Sequence, residues 1–175
     1  IKLPEALPRA IPPEDLQCLL GAIESDRDRT LILLLLRTGM RIGELLKVQV
    51  SDISFAERKI MIYLGEKNFQ GRAVYYSEDA EQALKKWLKT RPSDSTPLFP
   101  GKSLGGSISY VTAWKTLRNI LDRAGLSDKG YSLHSLRHTF ATDMLNAGMR
   151  LEVLQQLLGH QEIEMTMRYA RVTDL

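Results

Sequence analysis

Residues Leu31 to Leu36 are six consecutive apolar side chains set between Arg29 and Arg37. A helix that is apolar on every side has to be covered on every side, so this run predicts a buried helix. It is far too short to cross a membrane, which takes about 20 such residues. The 175-residue chain is 43% hydrophobic and 26% charged, enough to build one compact core and unlike a disordered chain. Cys18 is the only cysteine, which rules out an internal disulfide and fits a reducing compartment. On its helix it reads as a small apolar core residue. The net charge of +3 leans toward a polyanionic partner, although a solvated basic surface gives the same figure. No basic segment leads into a long apolar one near residue 1, so cytoplasm is the expected location.

The remaining elements follow from capping and periodicity. Residues 1–12 hold three prolines and read as a linker entering the domain. Pro13, Glu14 and Asp15 open a helix to about Ser25, and Asp26 is placed to cap the next, through about Thr38. Gly39 breaks it, and a short helix restarts beyond Arg41. Residues 58–64 and 72–77 carry the β-branched and aromatic content of a hairpin whose tip bears Lys67. Ser77 caps a helix to about Thr90, with Ala80, Ala83, Leu84, Trp87 and Leu88 on its apolar face. After a loop over 91–106, Ser107 caps a helix to Gly125 whose core side draws on Val111, Trp114, Leu117, Ile120 and Leu121. Helices over 136–146 and 151–158, closed by Gly148 and Gly159, precede a short last one over about 162–170. The fold class is α+β, mainly α-helical, with a small antiparallel sheet in the N-terminal half.

Unusual polar residues concentrate between Tyr131 and Arg171, where all three histidines lie. His134 and His138 stand at the i, i+4 spacing of helical zinc ligands. The general-base glutamate of that motif is missing, and Arg137 would set a cation beside the metal. A serine hydrolase elbow and a Walker loop are both absent from the sequence. What remains is a phosphate pocket. Arg41 and Arg137 offer paired N–H donors that suit phosphate oxygens. Tyr169 is a nucleophile only where cations stabilise its oxyanion and a base, here His134, takes its proton. Each residue also has a plainer reading. Arg41 pairs with Glu44 across one helical turn, Lys67 is a solvated loop lysine, His160 interacts with a helix dipole, and Tyr169 is a half-buried aromatic.

The segments Thr38-Gly39-Met40-Arg41-Ile42-Gly43-Glu44-Leu45, His134-Ser135-Leu136-Arg137-His138-Thr139-Phe140-Ala141-Thr142 and Leu157-Leu158-Gly159-His160, followed by Tyr169, resemble the catalytic domain of the tyrosine recombinases of the phage-integrase family, its Xer-like members in particular. The likeness runs from about Leu7 to Val172, and it implies that residues 1–12 are a linker from a separate N-terminal DNA-clamp domain and residues 13–175 the catalytic domain. It implies that Arg41 and Arg137 clamp the scissile phosphate, and that His134 moves a proton with the nucleophile. It further implies that His160 contacts the phosphate, that Tyr169 attacks it and that Lys67 protonates the leaving 5′ oxygen. Glu44 and His138 would support them. The hairpin reads Gly65-Glu66-Lys67-Asn68, where the family usually sets its lysine between glycines.

The activity so implied is site-specific DNA recombination through a 3′-phosphotyrosyl intermediate, with no metal, nucleotide or other cofactor. The partners would be a double-stranded recombination site and, in the full-length protein, further copies assembled as a tetrameric synapse. Two alternatives share these residues. A type IB topoisomerase rejoins the same strand, and a DNA-binding module keeps the fold without turnover.

Overall fold

The computed structural model describes residues 10–63 and 71–159 of the chain. In order these form α1 (Pro13–Gly21), α2 (Asp26–Thr38), α3 (Ile42–Leu46), a 3₁₀ turn (Val50–Asp52), β1 (Ile53–Ser54), β2 (Lys59–Ile62) and β3 (Arg72–Tyr75), then α4 (Glu78–Thr90), α5 (Tyr110–Arg123), α6 (Leu133–Asn146) and α7 (Leu151–Leu158). The described part is mainly helical with one three-stranded antiparallel sheet, as its sequence leads one to expect. Among the described residues no helix is long and apolar enough to cross a membrane.

α2 is the axis of the domain. All six residues Leu31 to Leu36 are buried, at 0–4% exposure, against α4, α6, α3 and β3. Each such side chain contributes about 1.5–3 kcal/mol through the water it leaves behind. Polar groups entering this interior are bonded. Thr30 donates to Asp26 O at 2.8 Å and lies 3.0 Å from Ala83 O of α4. Thr38 donates to Leu34 O at 2.5 Å. Before α1, Ile11 is buried and its N–H donates to Thr139 Oγ1 of α6 at 2.8 Å, which fastens the entering chain to that helix.

Gly39 ends α2 in the left-handed conformation, φ 71°, its N–H donating to Leu35 O at 3.2 Å. It also lets two layers touch, because a Cβ there would lie 2.3 Å from Phe140 of α6 and 3.0 Å from Leu158 of α7. Gly39→Ala therefore combines an unfavourable φ with a clash against packed carbon, and should cost about 2–4 kcal/mol. The expected fall in melting temperature is on the order of 5–15 °C. A variant melting with the parent would show that the α2–α6–α7 contact is looser than described here.

Several boundaries differ from the sequence expectation. α1 stops at Gly21, and Ser25, not Asp26, caps α2 by accepting the Asp28 N–H at 3.1 Å. α5 begins at Tyr110 with Ser109 as its cap, not Ser107. Its core side is Ala113, Thr116, Leu117, Ile120 and Leu121, whereas Val111 and Trp114 are exposed, at 55% and 43%. The Arg118 guanidinium covers the Trp114 ring at 5.6 Å. α6 starts three residues early, at Leu133, where Ser135 accepts the Ser132 N–H at 2.9 Å. Cys18 is exposed and not part of the core. β1, too short to stand out in sequence, pairs with β2 through Ile53↔Ile60 and Ser54↔Lys59. The hairpin tip with Lys67 and the segment with the expected last helix, His160 and Tyr169 lie outside the described residues.

Candidate active site

The site grows from the α2–α3 corner. Gly39 turns the chain so that Arg41 becomes the N-cap of α3, in extended conformation (φ −72°, ψ 149°). The third residue of α3, Glu44, reaches back and accepts the Arg41 N–H at 2.9 Å, satisfying a donor that the helix leaves open. Glu44 Oε2 also lies 3.6 Å from Arg41 Nη1. The pairing within one turn is present, but it belongs to a larger cluster.

From α6, Arg137 comes to the same carboxylate, with Nη1 4.0 Å from Glu44 Oε1. Its other arm, Nη2, donates to Leu158 O at the end of α7 at 2.8 Å. Arg137 is 5% exposed as a residue, held by the packing of α6 between α2 and α7. Arg41, whose side chain is 29% exposed, faces the open side. From β3, Arg72 grips Glu44 with both arms, Nη1 to Oε2 at 2.5 Å and Nη2 to Oε1 at 2.8 Å. Three guanidinium groups thus meet one carboxylate, and the excess positive charge is what a phosphate pocket needs.

Burial alone would raise the Glu44 carboxyl. The Arg72 hydrogen bonds, the Arg41 N–H and the charges of both arginines outweigh it and hold the group below its ordinary range. Its folded value is depressed, so its contribution to stability is present above the ordinary carboxylate range and is lost as pH falls through the lower folded value. Glu44 is therefore a carboxylate, not an acid, at neutral pH.

The two expected histidines on α6 differ in surroundings. His134 is exposed in the first turn, one helical step from Arg137, where i and i+3 share a face. His138 is 2% exposed and belongs to the interior, so the pair does not present two imidazoles to one open position. α7 ends at Gly159, whose φ of 94° and ψ of 150° suit glycine alone. Its α-carbon faces Arg41 and Arg72, since a Cβ there would lie 3.6 Å from Nη1 of each. The structure thus brings together Arg41, Glu44 and Arg137, with His134 on the Arg137 helix. Lys67, His160 and Tyr169 lie outside the described residues.

Arg72 is the residue that sequence reasoning missed. The signal was strand alternation: Arg72, Val74 and Tyr76 share one phase, and Val74 and Tyr76 are buried. A guanidinium in that phase points inward and needs an anion. Lys59, the first residue of β2, is paired with Glu57 at 3.0 Å; that hydrogen bond and the charge of Glu57 raise its ammonium above the ordinary lysine range.

Comparison with known proteins bears on this arrangement. The model of the phage integrase family matches residues 9–175. The chain is 34% identical over 176 residues to tyrosine recombinase XerA of Pyrococcus furiosus, covering 98% of this chain and 60% of that protein. It is 38% identical over 155 residues to tyrosine recombinase XerD of Corynebacterium glutamicum, covering 84% of this chain and 49% of that protein. Among solved structures, a crystal structure of XerA recombinase superposes with TM-score 0.82 at 28% identity over 94% of this chain and 60% of that one. XerH site-specific recombinase, bound to a palindromic difH substrate in a post-cleavage complex, gives 0.78 at 27% over 95% of this chain and 50% of that one. The chain spans about three-fifths of the length of the XerA relative it matches. With the family model running through α1 to α7 and beyond, and with the cluster built on Arg41, Glu44 and Arg137 inside it, the chain belongs to the phage integrase family.

Proposed function

We propose that this chain is the catalytic part of a site-specific recombinase that cuts and rejoins double-stranded DNA without metal or nucleotide. The observation that carries the reading is the convergence of Arg41 and Arg137, from helices far apart in sequence, within 4.0 Å of the one carboxylate of Glu44. Two guanidinium groups so placed can take the non-bridging oxygens of a phosphodiester and stabilise the charge that builds there in the transition state. Tyr169 Oη attacks the phosphorus, a 3′-phosphotyrosyl bond forms and the bond to the 5′ oxygen breaks. His134 accepts the tyrosyl proton, Lys67 gives one to the departing 5′ oxygen, and His160 adds a donor to the phosphate. His138 supports α6 from within. In the second half a 5′ hydroxyl from another strand attacks the phosphotyrosyl bond and Tyr169 leaves. The phosphodiester's free energy is retained in the covalent bond, so no high-energy cofactor is consumed.

On DNA, copies of the full-length protein would assemble as a tetrameric synapse, with an N-terminal clamp domain preceding the linker over residues 1–12 and the catalytic domain over 13–175. The resident compartment would be the cytoplasm, on DNA. The names of the relatives, tyrosine recombinases and a recombinase bound to its DNA site, support this reading.

The test is a duplex nicked near the scissile phosphate, so that the short cut fragment diffuses away and the adduct accumulates. The protein should form a band resistant to denaturant, and should form it equally well in excess EDTA, because fixed guanidinium groups do the work of a metal. Binding without any adduct would favour a silent DNA-binding module, and metal-rescued cleavage would contradict the mechanism. Relaxation of supercoiled DNA without strand exchange would favour the topoisomerase alternative.

A further inference from the structure

The mechanism above leaves Arg72 without a part, yet Arg72 has the shortest contacts in the cluster. The β2–β3 register pairs Ile62 with Arg72 and Ile60 with Val74, so these four side chains share one face, and Ile60, Ile62 and Val74 are buried. The Arg72 side chain keeps only 16% of its surface exposed, so its cation depends mainly on acceptors of the protein itself. It has three. Nη1 and Nη2 take the two oxygens of Glu44, and Nε donates to Leu157 O in the last turn of α7 at 2.7 Å. All three nitrogens of the guanidinium are thus committed to the chain's own acceptors.

Glu44 stands among three cations, Arg41 on α3, Arg72 on β3 and Arg137 on α6, and its distances to them are unequal. Arg72 holds both oxygens, at 2.5 and 2.8 Å, while Arg41 Nη1 and Arg137 Nη1 remain at 3.6 and 4.0 Å. Attraction between opposite charges rises steeply as they close to hydrogen-bond range. A Glu44 carboxylate released from Arg72 would turn onto Arg41 and Arg137, offset one of their two charges and occupy N–H groups that a phosphate has to meet.

We infer that Arg72 is a positioning residue for the reaction proposed above: by engaging both oxygens of Glu44 it keeps that carboxylate from pairing with Arg41 and Arg137 in place of the phosphate, and by its bond to Leu157 O it fixes the end of α7 beside them. The inference rests on that functional reading. It differs from a direct phosphate contact, whose removal would lower DNA affinity together with rate, and from a stability role alone, in which the rates of the variants would follow their melting temperatures.

The experiment follows adduct formation in a single turnover, at saturating nicked duplex, with the whole protein, and measures DNA affinity in parallel. Arg72→Met should slow attachment about 10–100-fold, the range carried by partners that orient an active-site group. DNA affinity should stay within about threefold, since many other phosphate contacts bind the duplex. The decisive variant adds Glu44→Gln to Arg72→Met. Removing the carboxylate charge should return at least about threefold of the lost rate, a non-additivity expected of groups in one network. Arg72→Lys, which keeps the charge without the fork, should fall between parent and Arg72→Met, and it replaces Arg72→Met in the same comparison should the latter not fold. A parent-like rate in Arg72→Met, affinity falling in step with rate, or a double variant as slow as Arg72→Met would each overturn the inference. If the parent itself forms no adduct, the functional reading fails. If the parent forms it and these variants behave otherwise, only the role of Arg72 fails.

Discussion

Tyr169→Phe should abolish covalent attachment to DNA while leaving DNA affinity within about twofold of the parent. In the proposed mechanism the phenolic oxygen is the atom that bonds to phosphorus, and phenylalanine has no atom to take its place, so the expected loss is of the whole reaction. Affinity survives because binding to a duplex is dominated by phosphate contacts distributed over the surface. DNA bound by the variant should stay uncut, with both strands recovered intact after denaturation. A parallel loss of binding would make Tyr169 a structural tyrosine, and residual adduct would place the nucleophile elsewhere.

The second large effect belongs to Arg137. Arg137→Lys should slow adduct formation on the order of 10²-fold or more, the scale of losing one preorganised donor to a developing oxyanion. Lysine keeps the charge but not the fork. In the structure one arm of Arg137 donates to Leu158 O and the other faces Glu44, 21 residues and 93 residues away in sequence respectively. An ammonium carries its three N–H donors on one nitrogen, so it cannot span both positions as the planar fork does, nor offer the phosphate two parallel N–H groups from separate nitrogens. Arg137→Ala should be slower still and less stable, because it leaves a cavity between α6 and α7 and the Leu158 carbonyl without that donor. A lysine variant cleaving at a near-parent rate would put Arg137 outside the pocket.

What could be read from the chain, and what could not, follows from how local each signal is. The α2 helix was legible because a run apolar on all sides has one solution, burial, and Gly39 after it has one conformation that ends a helix cleanly. Arg41, Glu44 and Arg137 were legible as types and as segments, and the fold does bring them to one carboxylate. The faces of α5 were not. That helix has large apolar residues on two sides, and only packing decides that Ala113, Thr116 and Leu117 go inward while Val111 and Trp114 stay out. Caps slipped by one or two positions wherever two capping residues stand close together, as Ser25 does beside Asp26 and Ser109 does after Ser107. Arg72 was legible only in part: its phase with Val74 and Tyr76 turns it inward without naming the anion it meets. Its partner Glu44 lies 28 residues away on a different element, and no local period announces a bond across that gap.

The most direct test of the proposed chemistry is the identity of the residue that carries the DNA. The adduct formed on a nicked duplex is to be digested with protease and nuclease and the nucleotide-bearing peptide sequenced by mass spectrometry. The prediction is a single modified peptide with a nucleotide 3′-phosphate on Tyr169. Attachment through a serine, through another tyrosine, or through the 5′ end of the broken strand would contradict it.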